Sequence, residues 1–518
     1  MYKLGIDVGG TNTDAVLIDE NQQVIADIKH PTSGDIYDGI VGALRTVLEQ
    51  SGVDRSQIGQ AMLGTTQCTN AIVERKNLAK IGILRIGAPA ACGIVPMVDW
   101  TEDIQAICAG SAVIGGGYEY DGKEIAPLDE EAARDFFREM KAQEVRSVAI
   151  SCVFSPVRSD HELRAAQLCR EVMGEDVHIS ISSEIGSMGL IERENATILN
   201  AALWKVAQRF TDGFARSLEA EGIRNADIYL SQNDGTLMTM EHARRYPILT
   251  VACGPTNSIR GASYLSKLEN AIVLDVGGTT TDLGVIQNGF PRESSVAVTI
   301  GGVRTNFRMP DVVSIGLGGG SIVREKPDGT VTVGPDSVGY EITKKALVFG
   351  GDTMTATDIA VRLGMAEVGD PALVSDIPME LAEKALEAIR LLVEDAIDAM
   401  KVSNEDSDVV LVGGGGIILP EKLAGAATVR KPDHFGCANA IGSAISKVSG
   451  TYEKLINYDE CPRDTALEQA KQEAIDMAVS AGAIRETVEI IEVEDVPLAY
   501  YPGNTNRVKI KAAGDLRA

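Results

Sequence analysis

This sequence contains no Gly-x-x-x-x-Gly-Lys-Ser/Thr run, which excludes a P-loop nucleotide site. Histidine is scarce: the five residues, His30, His161, His178, His242 and His434, are scattered and never spaced as His-Glu-x-x-His, so no catalytic zinc is expected. The eight cysteines (Cys68, Cys92, Cys108, Cys152, Cys169, Cys253, Cys437 and Cys461) form no Cys-x-x-Cys pair. A zinc or iron–sulfur site is therefore not expected either, and a reduced, cytoplasmic setting fits best. No uncharged apolar run reaches the ~18–20 residues that span a bilayer, and no long apolar segment follows Lys3. The chain reads as soluble, unsecreted and free of the membrane. Positive charge is also short, with 48 Lys and Arg against 74 Asp and Glu and a net charge of −26. That balance argues against a nucleic-acid or anionic-membrane partner. It does not exclude a bound polyphosphate, because backbone donors can hold phosphates on an acidic protein.

Glycine is what the sequence has in excess. Its 53 residues sit in clusters, as turn and loop chemistry requires. One phrase occurs twice. Asp7-Val8-Gly9-Gly10-Thr11-Asn12-Thr13-Asp14 matches Asp275-Val276-Gly277-Gly278-Thr279-Thr280-Thr281-Asp282 at every position but Asn12/Thr280. Short apolar runs flank both copies, so each reads as strand, tight turn, strand. The glycines of such a turn let backbone N–H groups approach an anion, and the threonine hydroxyls add donors. Two unrelated glycine turns would not share the aspartate before and the Thr-x-Thr-Asp after. Asp7 and Asp275 are placed to approach a Mg²⁺ ion through its water, since Mg²⁺ keeps several. Asp14 and Asp282 could do the same, orient an attacking group, or cap the hairpin. Two such grips suggest two related domains holding one polyphosphate.

A chain of 518 residues is too long for one core. The alternation of apolar strands with amphipathic helices predicts an α/β fold. Helices are expected at about 38–50, 129–142, 159–173, 185–221, 258–266, 378–401, 436–448 and 464–481. Strands are expected at 80–87, 145–153, 177–183, 227–231, 248–252 and 408–412, and two more around the turn Tyr500–Gly503. Residues 88–127 read as irregular, and 253–257 as a loop.

These motifs meet a known architecture. Two such hairpins, followed by a glycine loop after a strand at Val409–Gly416, resemble the two phosphate elements and the adenosine element of the actin, hexokinase and heat-shock chaperone ATPase superfamily. More closely, the whole chain resembles the hydantoinase A/5-oxoprolinase family. The resemblance is carried by the first hairpin with Ala15–Asp19, Gly64-Thr65-Thr66 through Thr69–Lys76, Ser231–Met238, Gly254–Ser258 and Ser314–Ile322. In the fourth of these the family tends to carry Gly-Pro-Ala-Gly-Gly, where this chain has Gly254-Pro255-Thr256-Asn257-Ser258.

The resemblance implies two actin-like (ribonuclease H-like) ATPase domains around a nucleotide cleft, with a small C-terminal α/β region. The expected divisions are 1–184, 185–450 and 451–518. It implies ATP and Mg²⁺ as cofactors, with Gly9, Gly10, Thr11, Asn12 and Thr13 and Gly277, Gly278, Thr279, Thr280 and Thr281 on the phosphates, and Gly413, Gly414, Gly415 and Gly416 near the adenosine. Asp7, Asp14, Asp275 and Asp282 are the catalytic candidates. Thr65, Thr66, Asn70 and Asn233 are candidate substrate contacts, although Thr65–Asn70 could equally be a helix cap and solvated face. The implied activity is ATP-driven phosphorylation and opening of a cyclic amide (a hydantoin, 5-oxoproline or another lactam). A B-type hydantoinase subunit is an implied partner, in a homo- or hetero-oligomer. Two alternatives stay open, a small-molecule kinase and an ATP-dependent regulatory or reactivating protein. The Asn257-Ser258 departure suggests a substrate different from those of the well-known members.

Overall fold

The computed structural model describes residues 1–9, 12–31, 36–186, 188–294, 298–307, 309–499 and 503–517. Gly10 and Thr11, and most of the turn expected at Tyr500–Gly503, lie outside these residues. Two sheets built to one plan organise the fold. In the first, five strands lie in the order Val24–Pro31, Asn12–Ile18, Tyr2–Val8, Ile58–Thr65 and Asp227–Ser231. In the second the order is Phe290–Pro291, Thr281–Gln287, Ala271–Val276, Ser407–Val412 and Ala426–Arg430. In each, the first three strands in sequence are antiparallel neighbours and the last two join in parallel. The central strands are buried on both faces, which is why they read as continuous apolar runs such as Ile272–Leu274.

Insertions and extensions decorate this pair. Between Ile58–Thr65 and Asp227–Ser231 the chain builds a separate parallel sheet from Cys108–Gly115, Ile81–Ala88, Ser147–Cys152 and His178–Ile181. The strand at Cys108–Gly115 falls in the stretch expected to be irregular; its Ala, Gly and Ser residues give no β-branched signal until Val113. The long helix Leu190–Ala220 returns from this lobe, and a buried ion pair of Arg85 with Glu194, to which Ser151 also donates, fastens the two together. Past the second sheet, strands Val448–Asn457, Thr505–Gly514 and Glu489–Pro497 extend the first sheet beyond Leu237–Thr239. Sheet membership thus crosses the chain positions 184 and 450. Helix Arg463–Ser480 covers this extension with Ala466, Ala470, Ala474 and Ala478, one turn apart on a single face.

Two further expectations are corrected. Residues 247–250 form a short 3-10 turn, not a strand, and the helix expected from 258 begins at Cys253. Pro255 is compatible with that start because the first-turn N–H groups of a helix have no intrahelical partner. This helix, Cys253–Ser266, crosses helix Ala438–Ile445 between the two sheets. The crossing is close: a Cβ on Gly261 would lie 1.8 Å from the Ala438 carbonyl oxygen, and one on Gly442 would lie 1.9 Å from that of Asn257. Among the described residues, no helix is long and apolar enough to cross a membrane.

Candidate functional site

The two hairpins have identical register. Asp7 lies opposite Asp14 and Val8 opposite Thr13, as Asp275 lies opposite Asp282 and Val276 opposite Thr281. Each turn closes with one backbone bond, Gly9 N–H to the Asn12 carbonyl at 3.0 Å and Gly277 N–H to the Thr280 carbonyl at 2.9 Å.

A second glycine run braces the second turn from behind. Gly319 and Gly320 donate to the carbonyls of Gly277 and Gly278 at 3.0 and 2.7 Å. The approach requires glycine, because a Cβ on Gly318 would stand 2.6 Å from the Thr279 nitrogen. With those carbonyls engaged, the N–H groups of Gly278, Thr279 and Thr280 have no acceptor among the described residues. Thr279 and Thr280 are exposed. Thr281 departs from the donor role expected of it. It is fully buried and its hydroxyl donates to the Leu317 carbonyl at 2.7 Å, so it shapes the turn. Thr13 is likewise buried.

The loop Gly413–Gly416 lies against the same hairpin. Gly413 has φ +84°, and a Cβ there would meet the Asp275 Oδ1 at 2.3 Å and the Val276 carbonyl at 2.5 Å. A Cβ on Gly415 would meet the Gly277 carbonyl at 2.3 Å. The expected adenosine loop and the second phosphate hairpin are therefore in direct contact. Lys29 reaches toward the loop from the first sheet, its Cε 3.9 Å from where a Gly414 Cβ would stand.

The aspartates form one acidic group, with Asp7 and Asp14 buried and Asp275 and Asp282 half-buried. Asp7 is 3% exposed and accepts from the side-chain amides of Asn257 and Asn439, at 3.3 and 3.0 Å. Burial, with Asp14 and Asp275 nearby, still raises its pKa to about 7. Asp14 pairs with Lys29 at 2.8 Å; burial raises its pKa and the lysine offsets this in part. Burial alone would lower the Lys29 pKa, but Asp14, with Asp275 adding to it, turns the net shift upward. Burial raises Asp275, which accepts from the Ser258 hydroxyl. Burial raises Asp282 to about 6, with Asp275 adding to the effect. Four carboxylates with one lysine among them leave an acidic excess that a cation would offset.

The fit of Mg²⁺ can be tested on these groups. Among the described residues no three His, Cys, Asp or Glu side chains converge to bind a metal directly. The acidic excess at Asp7 and Asp275 suits a cation held through its water. The buried Asn257 Oδ1, which has no partner among the described residues, offers that water an acceptor. The residues fit.

The expected substrate contacts divide. Thr66 donates to the Val8 carbonyl at the root of the first hairpin, through both its N–H and its hydroxyl, and Asn70 donates to the Thr66 hydroxyl at 3.3 Å. Thr65 is buried beside them. Asn233 is different. It is buried, its amide nitrogen lies 3.7 Å from the Met309 sulfur, and its carbonyl accepts from Thr256. A cavity of about 230 Å³ opens beside Asn70, between helix Gln67–Glu74 and the long helix, lined in part by Gln67, Arg209 and Phe210. Sequence reading missed Lys29 and Asn439. Lys29 could have been found as the cross-strand neighbour of Asp14. Asn439 carries no local signal, since it meets Asp7 only through the helix crossing.

Duplicated hairpins at the facing ends of two equivalent sheets, with a glycine loop packed on one of them, define the actin-like ATPase fold in its two-domain form. The chain belongs to the hydantoinase/oxoprolinase family: residues 3–173 match that family's N-terminal region and residues 193–367 its following region. It is 28% identical over 428 residues to caprolactamase subunit alpha of Pseudomonas jessenii, across 75% of this chain and 58% of that one. It thus spans little more than half of that relative. It is 25% identical to the acetophenone carboxylase gamma subunit of Aromatoleum aromaticum, across 91% of this chain and 73% of that one. The crystal structure of ATP-dependent caprolactamase from Pseudomonas jessenii superposes with a TM-score of 0.79 at 20% identity, covering 99% of this chain and 88% of that chain, a likeness of fold.

Proposed function

We propose that this chain is an ATP-dependent enzyme that activates a cyclic amide by phosphorylation, as one subunit of a larger assembly. The observation that carries this reading is the pair of matched hairpins whose aspartates, Asp7 and Asp275, are held by adjacent residues of one helix, Asn257 and Ser258. ATP, as co-substrate with Mg²⁺, supplies the γ-phosphoryl group. In this reading the amide oxygen of the ring accepts that group, which leaves the ring carbon open to water. Water adds there, the ring C–N bond opens to leave an acyl phosphate, and a second water releases phosphate with the former amide oxygen. The overall change is ATP, lactam and two waters to ADP, phosphate and an amino acid.

The chain's own part is positioning and charge. The N–H groups of Gly278–Thr280, without an acceptor among the described residues, would hold phosphate oxygens, as would the turn of the first hairpin. Asp7 and Asp275 would hold the hydrated Mg²⁺, and Lys29 would sit between Asp14 and the adenosine loop. The cavity beside Asn70, one helical turn from Thr66, is the proposed substrate side. The family match and the relatives named caprolactamase and acetophenone carboxylase support ATP-dependent chemistry at a carbonyl. The names of those relatives as subunits support a partner chain, of which a B-type hydantoinase subunit is the proposed case.

The test is ATP hydrolysis against a panel of hydantoins and lactams, with and without a B-type subunit. Stimulation by one ring class, and loss of on the order of 10²–10³-fold in Asp7→Ala and Asp275→Ala, is expected. No nucleotide binding at millimolar ATP, or unchanged rates in both variants, would sink the proposal. A stable phosphorylated product in the mass spectrum would mark a kinase instead. Turnover indifferent to every small molecule, with a stoichiometric protein partner, would mark a regulator.

A further inference from the structure

The two hairpin aspartates belong to different sheets, yet adjacent residues of one helix hold both. On helix Cys253–Ser266, Asn257 donates its side-chain amide to Asp7 Oδ1 at 3.3 Å, and the next residue, Ser258, donates its hydroxyl to Asp275 Oδ2. Consecutive helical side chains diverge by about 100°, so neighbouring positions can serve the two sides of a cleft. Both side chains are buried, Asn257 at 0% and Ser258 at 2% exposure.

Each aspartate is also walled on a second side by a glycine. A Cβ on Gly64 would stand 2.3 Å from Asp7 Oδ1 and 2.4 Å from the Asn257 amide nitrogen; one on Gly413 would stand 2.3 Å from Asp275 Oδ1. The strand end at Gly64 and the loop at Gly413 are thus opened to admit this arrangement. Thr256, the preceding residue, donates to the Asn233 carbonyl at 3.0 Å, which ties the same helical turn to the turn after strand Asp227–Ser231 of the first sheet. The helix can lie this deep because Gly261 and Gly442 let it touch the crossing helix. Glycines at 257 and 258, as the resembling family tends to carry, could form neither bond.

We infer that Asn257 and Ser258 are a positioning pair that fixes Asp7 and Asp275 relative to each other, so that the two hairpins act as one site for a cation-bound nucleotide. The pair donates to the aspartates, so it governs the cation's share of nucleotide affinity. The buried Asn257 Oδ1, without a partner among the described residues, adds an acceptor for a cation's water. This inference rests on the ATP reading above.

Calorimetric titration of ADP, with and without Mg²⁺, tests it on the wild type, Asn257→Ala, Ser258→Ala and Ser258→Thr. The wild type is expected to bind ADP more tightly with Mg²⁺. In Ser258→Ala and Asn257→Ala that gain should shrink by roughly tenfold or more, the weight of a hydrogen bond to a charged group, while metal-free ADP affinity stays unchanged. Ser258→Thr, which keeps the hydroxyl, should restore the gain. A merely structural role would lower metal-free affinity and thermal stability together and leave the Mg²⁺ gain intact; that result overturns the inference, as does an unchanged gain in both alanine variants. A wild type that binds no ADP at all overturns the ATP reading and this inference with it.

Discussion

Asp7 is a carboxylate that the fold holds against its own preference. Its folded pKa of about 7 lies well above the ~3.9 of an exposed aspartate. Between those values the folded chain binds more protons than the unfolded chain, so stability falls as pH rises from about 4 to about 7, and the loss persists above. Asp7→Asn removes that penalty, on the order of a few kcal/mol at ~1.4 kcal/mol per unit. The variant should melt above the wild type at pH 8, with the difference vanishing near pH 4, while losing turnover. A lower melting point at pH 8 would show that Asp7 is stabilising where it stands. Asp234 has the opposite sign. Burial would raise its pKa, but Lys511 at 2.8 Å holds it below the usual range, so its contribution is present at neutral pH and is lost as pH falls below about 4. The four aspartates were legible as letters because the hairpin repeats. Their partners were not: Asn257 and Ser258 read only as departures from a glycine loop, because a hydrogen bond across a helix crossing leaves no local pattern.

Among the elements, the hairpins and the loop at 413–416 were legible for one physical reason: a backbone that approaches another backbone closely needs glycine. The glycine run at 316–320 carried the same signal, but its role as a brace depends on a pairing remote in sequence. Gly413→Ala tests the contact. With φ +84° and an oxygen 2.3 Å from the new Cβ, it should destabilise the chain by about 1–3 kcal/mol, read from the urea midpoint, and weaken nucleotide binding. Wild-type nucleotide affinity in Gly413→Ala would separate the loop from the site. Gly261→Ala strikes the helix crossing, where the Ala438 carbonyl leaves 1.8 Å. Overpacking of that kind costs about 1–3 kcal/mol or more, and the same urea titration should show it as a lowered midpoint. The helix at 253–266 was misread at its start because Gly254-Pro255 looks like a turn, although proline is well suited to a first helical turn. The strand at 448–457 was missed because its main partner, Thr505–Gly514, lies far along the chain and leaves no local pattern.

At the scale of the whole molecule, the strand Thr505–Gly514 joins parts that the sequence leaves far apart. Lys511 meets Asp234 of the first sheet's turn and Glu293 of the second sheet's edge, at 2.8 and 3.0 Å. Lys509 meets the same Glu293 at 3.0 Å and Glu492 at 2.9 Å. Both lysines are buried, so removing Lys511 takes the ion-pair partner from Asp234 and leaves Glu293 with Lys509 alone. Lys511→Met should destabilise by about 3–5 kcal/mol, and the double variant with Glu293→Gln should recover part of it in urea unfolding. No recovery would mean that the lysine acts through Asp234 alone. The location of these strands also constrains how the chain matures. The ribosome releases Tyr2–Val8 and Ile58–Thr65 early, but the strands at 448–514 that complete their sheet emerge long after, behind the entire second half. The first sheet must therefore wait with an open edge during synthesis, exposed to mispairing with neighbouring nascent chains, and its assembly is a late, long-range event.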